Sequence, residues 1–477
     1  MSRRPPNSSA APASREALVA RLQPHRQEHL LTFWDSLSPG ERSLLAEQIL
    51  SVDLQRVSRL FHEQRAEQDW AALARRAIGP PAVRLAAGET SASTAAARQR
   101  GEQALAEGRV GVALVAGGQG TRLGFDQPKG MYRIGPHSGA SLFRILLEKV
   151  WAVGRRYGVR VPLYLMTSPA THQETIDYLE SQQYFGLAAE DVTIFCQGVM
   201  PVVDAQSGQL LLAGPGELLL SPDGHGGMAA ALQACGAFDD MRRRGIDLLF
   251  YMQVDNPLVG VCDPEFIGHH LLAGSELSTQ VVAKRTPLDR VGNVVSIDGR
   301  VQIIEYSDLP EDAARQTLPD GTLKLWAGNI AIHVFDVALL QRMSDSEHEL
   351  PFHLARKKAP YFDVSGRRIE PFSSNAIKFE QFIFDLLPFA RHAIVVEVDE
   401  ARNFAPLKNE PGAMRDSPET VQAQMAALHA AWLRQAGVET PPGVVVEISP
   451  RFALDAAELA AKLRPGLRLT EPVYFHE

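Results

Sequence analysis

The chain has 477 residues, of which 45% are hydrophobic and 22% are charged, and its formal net charge is −8 at pH 7. This composition is typical of a globular protein with a large core, and the length corresponds to roughly two to four domains. The negative charge excludes a general nucleic-acid-binding surface, and no apolar run reaches the ~18–20 residues that a membrane helix requires.

The few cysteines and the polar N-terminus indicate in which cellular compartment the protein resides. Cys196, Cys235 and Cys262 have neither the spacing of zinc ligands nor that of a disulfide framework, and no apolar segment follows Arg3 and Arg4. We therefore expect a cytoplasmic protein whose partners are small molecules rather than nucleic acids or membranes.

The N-terminal part of the chain is predicted to be helical. Ser38 is a typical N-cap because Pro39 follows at the first helical position and Glu41 stands at the third. Apolar residues then recur at helical spacing. The segment Ile78–Pro81 and the small-residue run Gly88–Ala97 predict a linker to the next part of the chain.

From residue 101 the pattern alternates between strands and helices. The predicted elements are strand Val112–Ala116, helix Ser141–Val153, strand Val161–Met166, helix 171–181, strand Val192–Phe195, helix Met228–Arg244 and strand Ile246–Met252. Such alternation predicts a parallel sheet covered by helices, with ligands bound at the carboxyl ends of the strands. After residue 278 shorter strands and turn signals such as Asp298-Gly299 indicate an inserted antiparallel region.

A last unit begins near residue 396. It contains the predicted strand Val444–Ile448 and the predicted helix Leu454–Leu463. The predicted organisation is a disordered tail (1–13), a helical N-terminal region (14–100), a central α/β domain with a mixed, mostly parallel sheet (101–395) and a small C-terminal α+β domain (396–477).

Residues 114–130 carry the clearest functional signal. The sequence LVAGGQGTRLGFDQPKG leaves a buried strand, enters a glycine cluster, and adds the cations Arg122 and Lys129. Exposed backbone N–H groups beside two cations are suited to phosphate oxygens. The dinucleotide fingerprint does not fit because Leu123 stands where its third glycine belongs, and the P-loop does not fit because Lys129 lies between Pro128 and Gly130. A glycine-rich turn without a ligand remains the alternative.

A family resemblance rests on this segment. Gly-Gly-Gln-Gly-Thr-Arg-Leu-Gly at 117–124, followed by Pro-Lys-Gly at 128–130, resembles the signature of the eukaryotic-type UDP-sugar pyrophosphorylases, and within them the enzymes that use N-acetylglucosamine 1-phosphate. The similarity extends from about residue 40 to about residue 450. It implies a Rossmann-like nucleotidyltransferase domain, UTP and a sugar 1-phosphate as substrates, and Mg²⁺ as cofactor.

Asp255 is the candidate metal ligand. It follows a buried strand at the expected rim of the sheet, where a hard oxygen ligand can hold Mg²⁺ together with substrate phosphates. A turn or helix-capping role is the alternative. A metal-dependent glycosyltransferase would more often show Asp-x-Asp, but position 257 is Pro. The resemblance implies that Asp255 binds the metal.

The resemblance also implies a set of substrate contacts. Gln197 would contact the uracil edge, Gly292 would leave space around the C2 substituent of the sugar, and the other contacts would come from Val115, Ala116, Gly117, Gly118, Gly224, His225, Glu305, Tyr306 and Asn329. The N-acetylglucosamine enzymes usually carry Asn at the position of His225, whereas Gly-His-Gly is similar to the UDP-glucose enzymes. Glucose 1-phosphate or galactose 1-phosphate therefore remains an alternative substrate.

Four cations complete the predicted site. The resemblance assigns Arg122, Lys129, Lys378 and Lys408 to the phosphates, and Lys378 is predicted to open the helix that carries Phe382 and Phe384. The predicted reaction is in-line attack of the sugar phosphate on the α-phosphorus of UTP, without a covalent enzyme intermediate. A non-catalytic nucleotide-sugar sensor is the alternative from a different class. His353, among apolar residues, is assigned no catalytic role.

Overall fold

The computed structural model describes residues 14–63, 69–84, 91–345 and 350–477. The predicted tail at 1–13 and residues 88–90 of the predicted linker lie outside these ranges. The α-helices are α1 (Arg15–Leu22), α2 (Pro39–Ser51), α3 (Leu54–Glu63), α4 (Trp70–Arg76), α5 (Ser91–Ala106), α6 (Leu142–Tyr157), α7 (His172–Ser181), α8 (Met228–Ala234), α9 (Ala237–Arg244), α10 (Pro264–Ala273), α11 (Glu311–Ala314), α12 (Val337–Asp345), α13 (Glu400–Asn403), α14 (Pro418–Gln435) and α15 (Ala456–Lys462).

The strands of the described residues follow the same chain order. They are β1 (Ala82–Val83), β2 (Val110–Val115), β3 (Leu163–Thr167), β4 (Val192–Cys196), β5 (Val199–Pro201), β6 (Val203–Asp204), β7 (Leu212–Gly214), β8 (Glu217–Leu218), β9 (Leu220–Pro222), β10 (Leu248–Gln253), β11 (Leu277–Ala283), β12 (Asn293–Ile297), β13 (Arg300–Ile304), β14 (Ala327–Asp336), β15 (His353–Lys357), β16 (Tyr361–Phe362), β17 (Arg368–Ile369), β18 (Ala376–Glu380), β19 (Ala393–Glu397), β20 (Val446–Ile448) and β21 (Val473–Phe475).

The chain divides into two compact units, each built from three stretches. The smaller unit comprises 1–68, 198–227 and 350–382, and the larger unit comprises 69–197, 228–349 and 383–477. The predicted domains are consecutive instead, because linker composition does not reveal segments that leave a unit and return to it. Among the described residues, no helix is both long enough and apolar enough to cross a membrane.

The larger unit is built on one long sheet. Its strand order is β1-β19-β11-β14-β10-β2-β3-β4, with β12 and β13 attached through β14. All pairings along the main order are parallel except those of β14, which runs antiparallel to both β10 and β11. The apolar runs of β2, β3 and β10 are almost fully buried, as expected of parallel strands with both faces covered. The predicted α/β class with a mixed, mostly parallel sheet is confirmed.

Three local predictions are wrong. The predicted helix 228–244 is two helices, α8 and α9, because Gly236 between them adopts a left-handed φ of +75°. Residues 91–97 are part of α5 rather than a linker. This segment packs closely on α10, since a Cβ added to Gly268 of α10 would lie 1.6 Å from the Ala97 carbonyl oxygen. Lys378 lies on strand β18 rather than at the start of a helix.

The smaller unit combines the N-terminal helices with short antiparallel strands. The capping box of Ser38 and Glu41 opens α2 as predicted. Buried side chains of α1 and α2 form one core with residues from β6, β7 and β18, including Leu18, Leu45, Val203, Leu212 and Phe379. The order β15-β18-β6 explains the strand conformation of β18, because both of its edges are paired with segments distant in sequence.

The C-terminal residues complete the larger unit. Strands β20 and β21 form a parallel pair. Glu447 of β20 is buried, and its carboxylate accepts hydrogen bonds from the backbone N–H groups of His137 and Ser138 and from the Ser138 hydroxyl, at 2.6–2.7 Å. These bonds attach the C-terminal segment to the loop that precedes α6.

Candidate active site

The glycine loop begins where β2 ends, between β10 and β3. Ala116 is buried, whereas Gly118 and Arg122 are exposed. Hydrogen bonds from Gly120 N to the Gln127 carbonyl (3.0 Å) and from Lys129 N to the Gly118 carbonyl (3.1 Å) fold residues 118–129 into a closed loop. Among the described residues, no hydrogen bond or ion pair occupies the Arg122 guanidinium. The loop thus presents backbone and a free cation at the carboxyl edge of the sheet, which suits it to an anion.

Lys129 and Asp255 meet at this edge. The Lys129 Nζ lies 3.4 Å from the Asp255 Oδ2, and only 16% and 13% of the two side chains are exposed. Their strands, β2 and β10, are parallel neighbours in register from Val110 to Val115, so residues that follow the two strands end at the same edge. The structure therefore brings together the predicted phosphate-binding lysine and the predicted metal-binding carboxylate.

The segment that carries Lys408 reaches the same edge. The Leu407 N–H donates a 2.8 Å hydrogen bond to the backbone carbonyl of Asp255, and the exposed Lys408 ammonium lies 5.8 Å from the centroid of the Phe404 ring. The Lys408 N–H in turn donates to the backbone carbonyl of Asp416 at 2.8 Å. Burial raises the pKa of the Asp416 carboxyl, and the nearby positive charge of Lys408 opposes that shift. Asp416 is a site-proximal acid that the sequence pattern does not single out.

The donor set fits a magnesium ion held together with substrate. Among the described residues there is no group of three or more His, Cys, Asp or Glu side chains that could bind a metal by themselves. Asp255 offers one partly buried carboxylate beside phosphate-binding groups. Mg²⁺ is commonly held by one or two carboxylates plus phosphates, so this arrangement matches a metal that arrives with a nucleotide.

Gln197 lies next to the glycine loop. Its side chain is buried (8% exposed), and its N–H donates to the Thr167 carbonyl at the end of β3. A Cβ added to Gly117 would lie 3.2 Å from the Gln197 Oε1, so glycine at 117 lets the Gln197 amide approach the loop backbone closely. The Ser168 hydroxyl fixes the same turn by donating to the Gly117 carbonyl at 2.7 Å.

Gly292, Glu305 and Asn329 form a second cluster in the larger unit. The Asn329 N–H donates to the Gly292 carbonyl at 2.8 Å, and a Cβ added to Gly292 would lie 3.0 Å from the Glu305 Oε1. The Asn329 Oδ1 accepts from the Ala331 N–H at 3.0 Å, so its NH₂ is the group that could donate to a ligand. Tyr306 follows Glu305 and is 51% exposed.

The smaller unit holds the remaining predicted residues: Gly224, His225 and Lys378. Gly224 has a left-handed φ of +89°, and a Cβ there would lie 2.4 Å from the Gln381 carbonyl oxygen, so the position requires glycine. Hydrogen bonds from Gly226 N to the Gln381 carbonyl and from Gln381 N to the Asp223 carbonyl join this turn to the chain that continues from β18. Lys378 lies on that strand and is half-buried.

His225 is held in a stack of rings. Phe382 stacks on His225 with 5.4 Å between centroids and on His353 with 4.4 Å, both at interplanar angles below 30° (25° and 29°). Burial, followed by the nearby positive charge of His353, lowers the pKa of His225 to about 4. His225 is therefore neutral at pH 7 and offers one ring donor and one ring acceptor. The sequence analysis gives no role to His353 or Phe382 in this stack.

Comparisons with known proteins identify the family of this chain. The profile of the family described as UTP–glucose-1-phosphate uridylyltransferase matches residues 58–452. The chain is similar to the UDP-N-acetylglucosamine pyrophosphorylase of Saccharomyces cerevisiae, with 40% identity over 368 residues that cover 76% of this chain and 77% of the relative. It is also similar to the human UDP-N-acetylhexosamine pyrophosphorylase-like protein 1, with 37% identity over 98% of each chain.

A solved structure extends the likeness to the fold. The crystal structure of the uridine diphosphate N-acetylglucosamine pyrophosphorylase from Trypanosoma brucei, in complex with an inhibitor, matches with a TM-score of 0.82, 25% identity and 99% coverage of each chain. The family profile and these relatives span most of the chain. The resemblance to the UDP-sugar pyrophosphorylases is thus confirmed, and the chain belongs to the UTP–glucose-1-phosphate uridylyltransferase family.

Proposed function

We propose that this chain transfers a uridylyl group from UTP to N-acetylglucosamine 1-phosphate and releases pyrophosphate. A phosphate oxygen of the sugar 1-phosphate forms the new bond to the α-phosphorus of UTP. The bond between the α-phosphorus and the bridging oxygen breaks, and that oxygen leaves with its electron pair as part of pyrophosphate. The observation that carries the proposal is the approach of Lys129 to Asp255 (3.4 Å), beside an exposed glycine loop with the free Arg122.

The residues of the larger unit act by binding and by charge. Lys129 and Arg122 bind the triphosphate and stabilise charge on its oxygens as pyrophosphate departs, and Gln197 orients the uracil. Lys408 neutralises phosphate charge from the segment held against Asp255. Asp255 would hold Mg²⁺, which when bound supplies Lewis-acid charge to the phosphates. Lys378 and His225 belong to the smaller unit, and their proposed roles rest on the family resemblance.

The choice of sugar is supported by the second cluster. Gly292 is closely packed, because a Cβ there would lie 2.9 Å from Ile303 and 3.0 Å from the Glu305 Oε1. Asn329, whose N–H bonds to the Gly292 carbonyl, accepts from Ala331 N through its side-chain oxygen, so its NH₂ is the group that could donate to a ligand. An amide donor at this position suits an acetamido group, whose carbonyl oxygen accepts that hydrogen bond. The relatives named for N-acetylglucosamine or N-acetylhexosamine support the same choice.

A second substrate, glucose 1-phosphate, is favoured by one observation. The Gly-His-Gly turn at His225 resembles the glucose enzymes, and the neutral imidazole of His225 can bond to a sugar hydroxyl. The two candidates differ in the C2 substituent alone, so a comparison of the two sugar phosphates separates them.

A panel assay tests the proposal. The purified chain is incubated with UTP, Mg²⁺ and either N-acetylglucosamine, N-acetylgalactosamine, glucose or galactose 1-phosphate, and pyrophosphate release is measured. We expect the highest kcat/KM with N-acetylglucosamine 1-phosphate. A preference for glucose 1-phosphate would contradict the choice of sugar and keep the reaction. Binding of UTP without pyrophosphate release from any member would contradict catalysis and support the sensor.

Gly292→Ala provides the matched variant for the choice of sugar. The added methyl group would lie within 3.0 Å of Ile303 and Glu305 and displace these side chains, so the preference for the acetamido sugar should decrease while the KM for UTP stays unchanged. An unchanged preference would place the acetamido group elsewhere.

A further inference from the structure

Asn256 makes three hydrogen bonds inside the larger unit. Its side chain is 4% exposed. The Nδ2 donates to the Asn403 carbonyl at 2.7 Å, and the Oδ1 accepts from the N–H groups of Ala405 at 3.0 Å and Leu258 at 3.2 Å. The partners fix the orientation of the amide, because two N–H donors face its oxygen and one carbonyl faces its nitrogen.

These bonds connect two segments that each carry a proposed functional group. Asn256 directly follows Asp255, and residues 403–405 lead into Lys408 three positions later. One additional backbone hydrogen bond, from Leu407 N to the Asp255 carbonyl, runs between the same two segments. The carboxylate and the ammonium are thus joined through a short chain of bonds that is centred on a single buried amide.

The loop after Asp255 is also held from its other side. The Lys149 ammonium on α6 donates to the carbonyl oxygens of Pro257 at 2.7 Å and Val259 at 2.9 Å. Residues 257–259 are therefore fixed to α6, and the Asn256 side chain ties residues 403–405 to this fixed loop. An amide carries its donor and its acceptor on separate atoms, so it can donate to one carbonyl while it accepts from two N–H groups at neutral pH.

We propose that Asn256 is a positioning residue of the uridylyl-transfer site, which sets the placement of Lys408 relative to the metal-binding carboxylate of Asp255. The inference rests on the proposed function, and a wild-type chain without turnover would refute that function rather than this role. Asn256 touches neither substrate nor metal in this account. Loss of the Asn256 amide displaces the Lys408 ammonium relative to the Asp255 carboxylate. Turnover therefore falls more than substrate binding weakens.

Two variants test this role. For Asn256→Ala we expect kcat to fall by roughly tenfold to a hundredfold, as is typical for groups that orient a metal ligand, together with a higher half-saturating Mg²⁺ concentration. The KM for UTP should change by less than about threefold, because the glycine loop and Gln197 are untouched. A variant that merely lost stability would not change its dependence on Mg²⁺.

Asn256→Asp provides a nearly isosteric second variant. The new side chain keeps an acceptor for Ala405 and Leu258 but, when ionised, faces the Asn403 carbonyl with a second negative oxygen instead of a donor. We therefore expect kcat to fall while the KM for UTP stays within about threefold of wild type.

Gln27→Ala is the matched control for a lost buried amide. Gln27 is 7% exposed, donates to the Gly208 carbonyl at 3.3 Å and accepts from Leu210 N at 2.9 Å in the smaller unit. This control should lose stability and keep its Mg²⁺ dependence. Asn256→Ala with kcat and Mg²⁺ half-saturation within about twofold of wild type would overturn the proposal. A wild-type kcat in Asn256→Asp would overturn it as well, and this isosteric variant decides the matter if the alanine variant fails to fold.

Discussion

Replacement of Lys129 by methionine removes a charge from the centre of the proposed site and keeps most of the side-chain volume. The ammonium lies 3.4 Å from the Asp255 carboxylate, with 16% of the lysine side chain exposed. At an effective dielectric constant near 20, a unit charge at this distance interacts with a carboxylate or a phosphate oxygen by about 5 kcal/mol before desolvation. Once the metal and the substrate bind to Asp255, the Lys129 ammonium can direct a large part of this interaction energy to the phosphates.

The expected cost to catalysis is lower than that Coulomb energy, because part of the interaction is already present with bound UTP before reaction. Loss of a single preorganised charge-stabilising group typically costs about 2.7–4 kcal/mol, or roughly 10²–10³ in kcat. We therefore expect Lys129→Met to reduce kcat for pyrophosphate release by this factor, measured in steady state with UTP and N-acetylglucosamine 1-phosphate. Thermal unfolding should change little, because an ion pair at this exposure contributes only modestly to stability.

Lys462→Met is the control for this experiment. Lys462 is exposed and pairs with Glu458 at 2.8 Å, so the control also loses a lysine–carboxylate pair, but on helix α15. It should keep wild-type kcat. The reasoning would be refuted if Lys129→Met retained kcat within about threefold of the control, since no charge at the site would then be needed for turnover.

Three further predictions follow from the same structure. Gly292→Ala should lower kcat/KM for N-acetylglucosamine 1-phosphate by about tenfold or more and leave the KM for UTP unchanged, because the new Cβ would lie 2.9 Å from Ile303. Equal losses of kcat/KM for all sugar phosphates would contradict this prediction. Burial lowers the pKa of Lys149 from 10.5 to about 7. Between these two pH values the unfolded chain therefore binds more protons than the folded chain. The free energy of unfolding consequently rises with pH across this window. Relative to Lys149→Met, the wild type should therefore gain up to about 1.4 kcal/mol per pH unit in denaturant titrations between about pH 7.5 and 9.5, and an equal difference at both values would contradict the assignment. In-line transfer without an enzyme intermediate should invert the configuration at an α-thiophosphate of UTP, and retention would require a covalent intermediate.

The sequence predicts the part of the site that follows from local pattern. The strand before Gly117 and the strand before Asp255 are continuous apolar runs, and parallel strands must end at a common edge, so the meeting of Lys129 with Asp255 follows from these two runs. Gly292, Glu305 and Asn329 were expected from the resemblance, and their proximity depends on the antiparallel pairing of β12, β13 and β14.

Other features depend on contacts between distant segments. The sequence predicts that Lys378 opens a helix that carries Phe382 and Phe384, but β15 and β6 pair with both edges of its segment and impose a strand. The alanine-rich residues after position 90 have a linker-like composition, yet Gly101 and Gly268 let α5 pack closely against α10. Asn256 and Asp416 look like ordinary turn residues, since their partners lie in other segments or in the backbone.

The central claim is that this chain joins UTP and a sugar 1-phosphate through a site organised by Lys129 and Asp255. The most direct measurement is a ³¹P NMR time course of the wild type and Asp255→Asn with UTP, Mg²⁺ and N-acetylglucosamine 1-phosphate. The account predicts that the wild type forms UDP-N-acetylglucosamine and pyrophosphate in equal amounts, and that Asp255→Asn is slower by orders of magnitude. Hydrolysis of UTP without consumption of the sugar phosphate, or equal rates for the two proteins, would contradict it.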